Sequence, residues 1–229
     1  MTASPARQQT YELLALAFQR PSPQQVEALT VYRAVDVLTG GAAFVPWPAS
    51  TDLCAHLRLF LLETRSKGLA ALARSLSVEH CRLFVGPYSA PCPPYGSVYL
   101  DGGRAMGPST IDALSRYRQA GLRPARIWRE PPDHLAVELQ FMAHLSAKCV
   151  VAAAAGQHDD APRLLEIQRA FLRDHVGRWG PVFAERLKRA ASCHLYRFLG
   201  EFLGAWLTLD EDLLDAVAEA LPGIRASCK

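Results

Sequence analysis

Hydrophobic residues recur every three or four positions along most of this chain, which is the period of an α-helix that buries one face. The strongest pattern begins in the segment EPPDHLAV and ends at Gly156. Its core-facing row is predicted to consist of Leu135, Leu139, Met142 and Leu145. Two acidic residues near its start, Glu130 and Asp133, would complement the positive end of the helix dipole.

Weaker patterns of the same period predict further helices. In the first, from about Pro5 to Gln19, the buried face consists of Tyr11, Leu14, Ala15 and Phe18. Another helix is expected after an N-cap at Thr51–Asp52. The remaining helices are predicted at Val26–Leu38, Leu69–Phe84, Ser109–Gly121, Ala161–Val176, Pro181–Ala190, Cys193–Leu207 and Asp210–Ala220.

One segment in the middle of the chain breaks this pattern. The stretch LFVGPYSAPCPPYGSVYLD, from Leu83 to Asp101, contains four prolines and three tyrosines. Proline lacks a backbone donor and has a fixed φ, so we expect a non-helical loop from Gly86 to about Pro108. The loop is either a rigid crossover between two halves of a bundle or a preformed surface for an apolar peptide.

The composition also favours helices. Unbranched helix formers, 35 Ala and 32 Leu, outnumber the strand formers, 14 Val and 4 Ile, by more than three to one. We therefore predict an all-α fold in which residues 1–229 form a single-domain bundle of about nine to eleven helices with a proline-rich central loop.

Charge and hydropathy exclude some classes of protein. The formal net charge of +3 is too small and too diffuse to indicate a nucleic-acid partner. Glu12 interrupts the apolar run near the N-terminus, so a secretory signal is not expected. The uncharged run CVVAAAAG is far shorter than the ~20 residues that span a bilayer. The sequence thus predicts a soluble cytoplasmic protein without membrane insertion.

The six cysteines give no indication of a metal framework. None of them forms a C-x-x-C pair, which argues against a zinc knuckle and against a thioredoxin-type redox couple. Free thiols, mostly buried, are the expectation for a cytoplasmic chain of this size.

Candidate catalytic chemistry is sparse. Motifs for a nucleophile elbow, a P-loop or a dinucleotide-binding turn are not found. His134 and Glu138 would share one helix face with Asp133 beside them, which allows a metal site or a small helical hydrolase acting on a nucleotide. The alternatives are that His134 is an ordinary hydrogen-bonded residue at a helix start, or that it belongs to a binding surface.

Two long motifs narrow these alternatives. EHCRLFVGPYSAPCPPYGSVYLD, followed after about 30 residues by EPPDHLAVELQFMAHL, resembles the TorD/DmsD family of cytoplasmic redox-enzyme maturation chaperones, and in particular its DmsD-like branch. The two blocks directly cover Glu79 to about Leu145, and the helical pattern extends the resemblance over almost the whole chain.

The resemblance implies a function. It implies an all-helical chaperone without catalysis of its own, and we predict no metal site and no cofactor. Such a chaperone binds the twin-arginine signal peptide or the apoprotein of a molybdopterin-containing oxidoreductase of the dimethyl-sulfoxide-reductase type, and holds it for cofactor insertion before export. The translocation machinery would be a further partner, and the chain would be a monomer or a domain-swapped dimer.

The resemblance also implies a signal-peptide-binding site. The matching positions in this sequence are Leu83, Phe84, Pro94, Tyr95, Gly96, Ser97, Asp133 and His134. Of these, Leu83, Phe84 and Tyr95 would provide an apolar wall. Carboxylates for a basic peptide would come from Asp101, Glu130 and Asp133.

Some residues depart from the family pattern. Tyr95 stands where tryptophan is common, and His80 stands where an aromatic residue often precedes the Leu-Phe pair. Either change could alter which client is bound. A NarJ-type assembly factor for a nitrate reductase that is not exported is the alternative within this class of function.

Overall fold

The computed structural model describes residues 5–30, 51–87, 89–122, 130–156 and 160–220. Within these ranges the chain forms ten α-helices, one π-helical segment and no β-strand, so the all-α prediction is confirmed. The helices are α1 Pro5–Ala17, α2 Pro23–Thr30, α3 Thr51–Lys67, α4 Leu69–His80, α5 Gly96–Leu100, α6 Pro108–Gln119, α7 Leu135–Ala154, α8 Asp160–Asp174, α9 Val176–Ala190 and α10 His194–Ala220. The π-helical segment, Cys81–Val85, continues α4 directly.

Helix α7 lies at the centre of the bundle and packs against α1, α8 and α9. Its predicted core row is confirmed, since its four residues have no exposed surface: Leu135, Leu139, Met142 and Leu145. The apolar residues of this helix satisfy a length and composition test for a membrane span, but 61% of the tested window is buried inside the bundle. The test is therefore weak evidence for a span.

The first and last helices are joined through a buried ion pair. The Arg7 guanidinium donates to both carboxylate oxygens of Asp210, at 2.6 and 2.8 Å, and the Tyr11 hydroxyl donates to the same carboxylate at 2.6 Å. All three side chains are buried. Because each charged atom has a partner, the pair can remain ionised inside the bundle.

Three predicted boundaries are wrong. The two helices predicted at Cys193–Leu207 and Asp210–Ala220 are one continuous helix, α10, because no glycine or proline separates them. Helix α9 begins at Val176, so Pro181 lies inside it instead of starting it. The proline loop contains the short helix α5, Gly96–Leu100. The predicted extension of α2 to Leu38 lies outside the described residues.

Candidate functional site

The two motif blocks lie side by side and pair through their backbones. Tyr95 and His134 form an isolated antiparallel bridge, in which Gly96 N–H donates to the carbonyl of Asp133 at 2.8 Å. The second bond runs from Leu135 N–H to the carbonyl of Pro94, also at 2.8 Å. We call residues Pro94–Ser97 and Asp133–Leu135 the motif junction. It attaches the proline loop to the first residues of the central helix.

The side chain of Asp133 strengthens this junction. Its Oδ2 accepts a hydrogen bond from the Ser97 backbone N–H at 2.9 Å, so it caps α5 from 36 positions away in the sequence. The carboxylate is only 1% exposed. The expected interaction of Asp133 with the dipole of its own helix stays a prediction, because Oδ2 bonds to α5 and Oδ1 has no hydrogen-bond partner among the residues that the structure describes. Its burial also leaves it almost no surface on which to meet a peptide.

Three other predicted site residues are structural parts of the junction. Gly96 and Ser97 are buried, and the Ser97 hydroxyl accepts a bond from Met106 N–H at 3.1 Å. A Cβ added to Gly96 would lie 2.9 Å from Nε1 of Trp179, so only glycine fits there without movement. Pro94 is also buried. These residues fix the shape of the loop.

His134 is the N-cap residue of α7. Its Nδ1 accepts a hydrogen bond from Ala136 N–H at 3.1 Å, which places the imidazole proton on Nε2. Burial, followed by the charge of His80, lowers the pKa of His134 to about 4. The edge of its ring meets Tyr95, with 5.3 Å between ring centroids. At neutral pH His134 is an uncharged hydrogen-bonding group.

Leu83 and Phe84 point into the core. Leu83 has no exposed surface, and the Phe84 ring packs against Phe183 and Tyr196 with centroid distances of 6.0 and 5.3 Å. In this conformation neither residue forms an open apolar wall. Their contact with a peptide stays a prediction that the structure does not test.

The π-helical segment explains which side chains of Cys81–Val85 are buried and which are exposed. Gly86 N–H bonds to the carbonyl of Cys81 at 2.8 Å, five residues earlier, which is the wider π spacing. The wider turn buries Leu83 and Phe84 while Cys81 and Val85 remain exposed. Sites of this kind are frequently functional, because an inserted residue redirects side chains.

A groove of about 590 Å³ lies next to the motif junction and this exposed face. Its walls come from the turn that follows α1, from α2, from the end of α4 with the π-helical segment, and from the start of α7 with the residues before it. We call it the α1–α4 groove, and it is lined by Phe18, Gln19, Arg20, Gln25, His80, Cys81, Val85, Glu130, His134 and Ala136. This volume falls within the range of pockets that hold small ligands or parts of a peptide.

The groove combines apolar surface with few charges. Glu130 is exposed and is the carboxylate among its lining residues, whereas Arg20 is the lining guanidinium. Burial lowers the pKa of His80 to about 4, so His80 is neutral at physiological pH. Of the three carboxylates predicted to meet a basic peptide, Glu130 lies in the groove. Asp133 is buried, and Asp101 accepts the Ser109 backbone N–H at 3.0 Å, which caps α6.

Most of the groove could not be found from motifs. Phe18, Gln19 and Arg20 come from the turn after α1, and Gln25 comes from α2. The helical period predicted Phe18 as a core position, and nothing in the local sequence of the other three distinguishes a groove wall from a solvent face. His80 is the exception, because its departure from the aromatic residue of the motif was a signal at that position.

The hydrolase interpretation is not supported by the position of Glu138. This side chain is completely buried, and its Oε2 accepts a bond from Trp179 Nε1 at 2.9 Å. The Nδ1 of His134 is occupied by the backbone of its own helix. In the described part of the chain, no three His, Cys, Asp or Glu side chains are grouped to hold a metal ion. Of the four cysteines whose side chains the structure describes, Cys92 and Cys149 are buried free thiols.

Known proteins resemble this chain in sequence. The family model for the nitrate reductase delta subunit matches residues 48–185, more than half of the chain. The chaperone protein TorD of Vibrio cholerae is 30% identical over 147 residues, which cover 63% of this chain and 64% of that protein. The Tat proofreading chaperone DmsD of Salmonella typhi is 30% identical over 164 residues, which cover 71% of this chain and 69% of that protein.

The fold has a solved counterpart. A protein from Archaeoglobus fulgidus assigned to redox enzyme maturation superposes with a TM-score of 0.51 at 21% identity, over 88% of this chain and 93% of that one. At this identity the likeness supports the fold alone. The match to the Vibrio TorD spans slightly less than two thirds of that relative's length.

Proposed function

The chain belongs to the TorD/DmsD family of redox-enzyme maturation chaperones, and from this premise we propose that it binds the twin-arginine signal peptide of a molybdopterin-containing oxidoreductase. In this proposal the bound apoprotein is of the dimethyl-sulfoxide-reductase type and stays in the cytoplasm until its cofactor is inserted. The chain itself performs no chemistry on its client.

The observation that carries this proposal is the α1–α4 groove beside the motif junction. The first residues of both motif blocks line this groove, since the first block supplies His80, Cys81 and Val85 and the second supplies His134 and Ala136. A twin-arginine leader has a basic region followed by an apolar region. A groove with apolar walls and one exposed carboxylate matches both parts.

Charge fixes the orientation of the leader in this proposal. The Glu130 carboxylate would receive a leader arginine, because charge-assisted hydrogen bonds of this type are strong and directional. The apolar region would then lie against Val85, the exposed apolar side chain of the groove, with the buried Phe18 and Ala136 behind it. The net charge of +3 repels a basic peptide at long range, so the attraction must be local.

The predicted site residues divide into three groups. His134 lines the groove and Tyr95 packs against its ring, so these two are proposed to contact the leader. Pro94, Gly96, Ser97 and Asp133 are proposed to hold the loop in place, because all four are buried. Leu83 and Phe84 support the groove from the core side.

Calorimetry with a synthetic twin-arginine leader tests the proposal. We expect binding at micromolar affinity or tighter, which corresponds to about −8 kcal/mol. A control peptide with both arginines replaced by norleucine should bind at least tenfold more weakly. Cys81 provides a second readout, because its exposed thiol lines the groove and bound leader should slow its alkylation. No binding and no protection would contradict the proposal.

A second candidate is a NarJ-type assembly factor for a nitrate reductase that is not exported. The description of the matching family model, a nitrate reductase delta subunit, favours it. Capture of the client from native lysate, followed by mass spectrometry, distinguishes the two candidates. A client with a twin-arginine leader supports the first, and a nitrate reductase without one supports the second.

A further inference from the structure

A buried polar network lies directly beneath the motif junction. Glu138 is one turn beyond the N-cap residue of α7, and its Oε2 accepts the Trp179 indole N–H at 2.9 Å. Its other oxygen, Oε1, is buried and lies 3.9 Å from Nδ1 of His175, so the two atoms face each other just beyond hydrogen-bond distance. Neither of these two atoms has a hydrogen-bond partner within the protein.

The surface end of this network determines the protonation of His175. Its Nε2 lies 2.8 Å from the Asp112 carboxylate, which is half exposed and also pairs with Arg116 at 3.6 Å. An ionised carboxylate can only accept a hydrogen bond, so Nε2 of His175 carries the imidazole proton. Burial lowers the pKa of His175, which leaves Nδ1 as an acceptor that faces Glu138.

Two buried acceptors that face each other repel unless a proton lies between them. An ionised Glu138 would place a negative oxygen opposite the lone pair of His175, with no cation to compensate it. The Asp133 carboxylate on the same side adds like charge, and burial raises the pKa of Glu138 well above its ordinary value. Burial, followed by these same two carboxyl groups, raises the pKa of Tyr117 on α6.

We propose that Glu138 is a neutral carboxylic acid that accepts from Trp179, donates towards His175, and thereby positions the motif junction. Trp179 transmits this effect, because its indole nitrogen is the nearest atom to the position that a Cβ on Gly96 would occupy. Gly96 in turn bonds to Asp133. Glu138 is thus a positioning residue. Its effect on leader binding rests on the proposed function. Its protonation state is independent of that function.

The proposal fixes the sign of a pH effect. Glu138 keeps its proton in the folded protein at pH values where the unfolded chain has lost it. Stabilisation is therefore complete below the ordinary glutamate pKa and declines as the pH rises towards the raised pKa of the folded state. The histidines with lowered pKa values change the free energy of unfolding only below about pH 6.5. The pH dependence of stability above that value therefore reports the ionisation of Glu138.

The variants Glu138→Gln and Glu138→Ala test the proposal. The glutamine amide reproduces one acceptor and one donor, so E138Q should fold and bind leader within about twofold of the wild type at pH 7. Relative to E138Q, the folded-to-unfolded ratio of the wild type should fall about tenfold per pH unit above pH 6.5 until the carboxyl group ionises. E138A should lose stability at every pH, and an infrared band of a protonated carboxyl group should disappear in E138Q.

Three outcomes would overturn the assignment of Glu138 as a neutral acid, and a fourth would separate it from the proposed function. Parallel pH profiles for the wild type and E138Q, or no infrared band at pH 7, would overturn the neutral-acid proposal. An E138Q variant as unstable as E138A would overturn it as well. If the pH profiles diverge as expected but no variant binds leader, the proposed function fails while the assignment of Glu138 stands.

Discussion

The backbone N–H of Ser97 donates to the buried carboxylate of Asp133 at 2.9 Å, so a residue 36 positions along the chain caps helix α5. This bond and the backbone bridge at Tyr95 and His134 join the two sequence motifs into one structural unit. The chain between the two motifs must therefore be long enough to bring the proline loop back to the start of the central helix, where these contacts form.

Replacing Asp133 by alanine should release the proline loop. The loss of an N-cap acceptor costs about 1 kcal/mol of stability, and the buried Ser97 N–H adds the cost of an unsatisfied donor, about 1–3 kcal/mol. Asp133→Asn retains an acceptor and should cost less. Urea unfolding of both variants measures the difference. Equal losses for asparagine and alanine would show that charge, and not capping, is the role of this residue.

Gly96→Ala should destabilise the junction, because the added methyl group would lie 2.9 Å from the Trp179 indole nitrogen. Overpacking of this kind costs about 1–3 kcal/mol. Gly204→Ala is the matched control, since its Cβ would meet ordinary contacts at 3.5 Å inside helix α10. Thermal unfolding should separate the two variants. Equal melting temperatures would mean that Trp179 moves aside without cost.

Glu130→Gln should weaken leader binding and flatten its dependence on salt. The groove loses its exposed carboxylate, and screening by salt acts on exposed charges of this kind. Glu211→Gln, an exposed glutamate on α10 outside the groove, makes the same change in net charge and should leave the salt slope unchanged. If both variants show the same slope as the wild type, the leader arginines do not meet Glu130.

The helices were largely predictable because their stability comes from one buried face with a regular period. The row from Leu135 to Leu145 shows this, since a local pattern directly determines which residues enter the core. Helix α5 was missed because its cap comes from Asp133, and a local pattern contains no information on such a distant partner. The start of α9 was missed for a similar reason, since Trp179 is anchored by Glu138 on another helix.

The candidate site was predictable only in part. The predicted residues border the α1–α4 groove, but their burial could not be read from the motif, and most of them lie behind the groove instead of lining it. Whether a side chain faces the core or the groove depends here on the π-helical turn at Cys81–Val85. Such a turn inserts one residue into the helical register, and the period of hydrophobic residues does not reveal it.

The central claim is that the leader lies in the α1–α4 groove, and a pair of valine substitutions tests it most directly. Val85 lines the groove and is 65% exposed, whereas Val78 is 72% exposed on the preceding helix and is not among the lining residues. Val85→Arg and Val78→Arg add the same charge at two exposed positions. Calorimetry with the twin-arginine leader should show an affinity loss of more than about tenfold for V85R, equivalent to about 1.4 kcal/mol, and less than about threefold for V78R. Equal affinities for the two variants would contradict the placement of the leader in this groove.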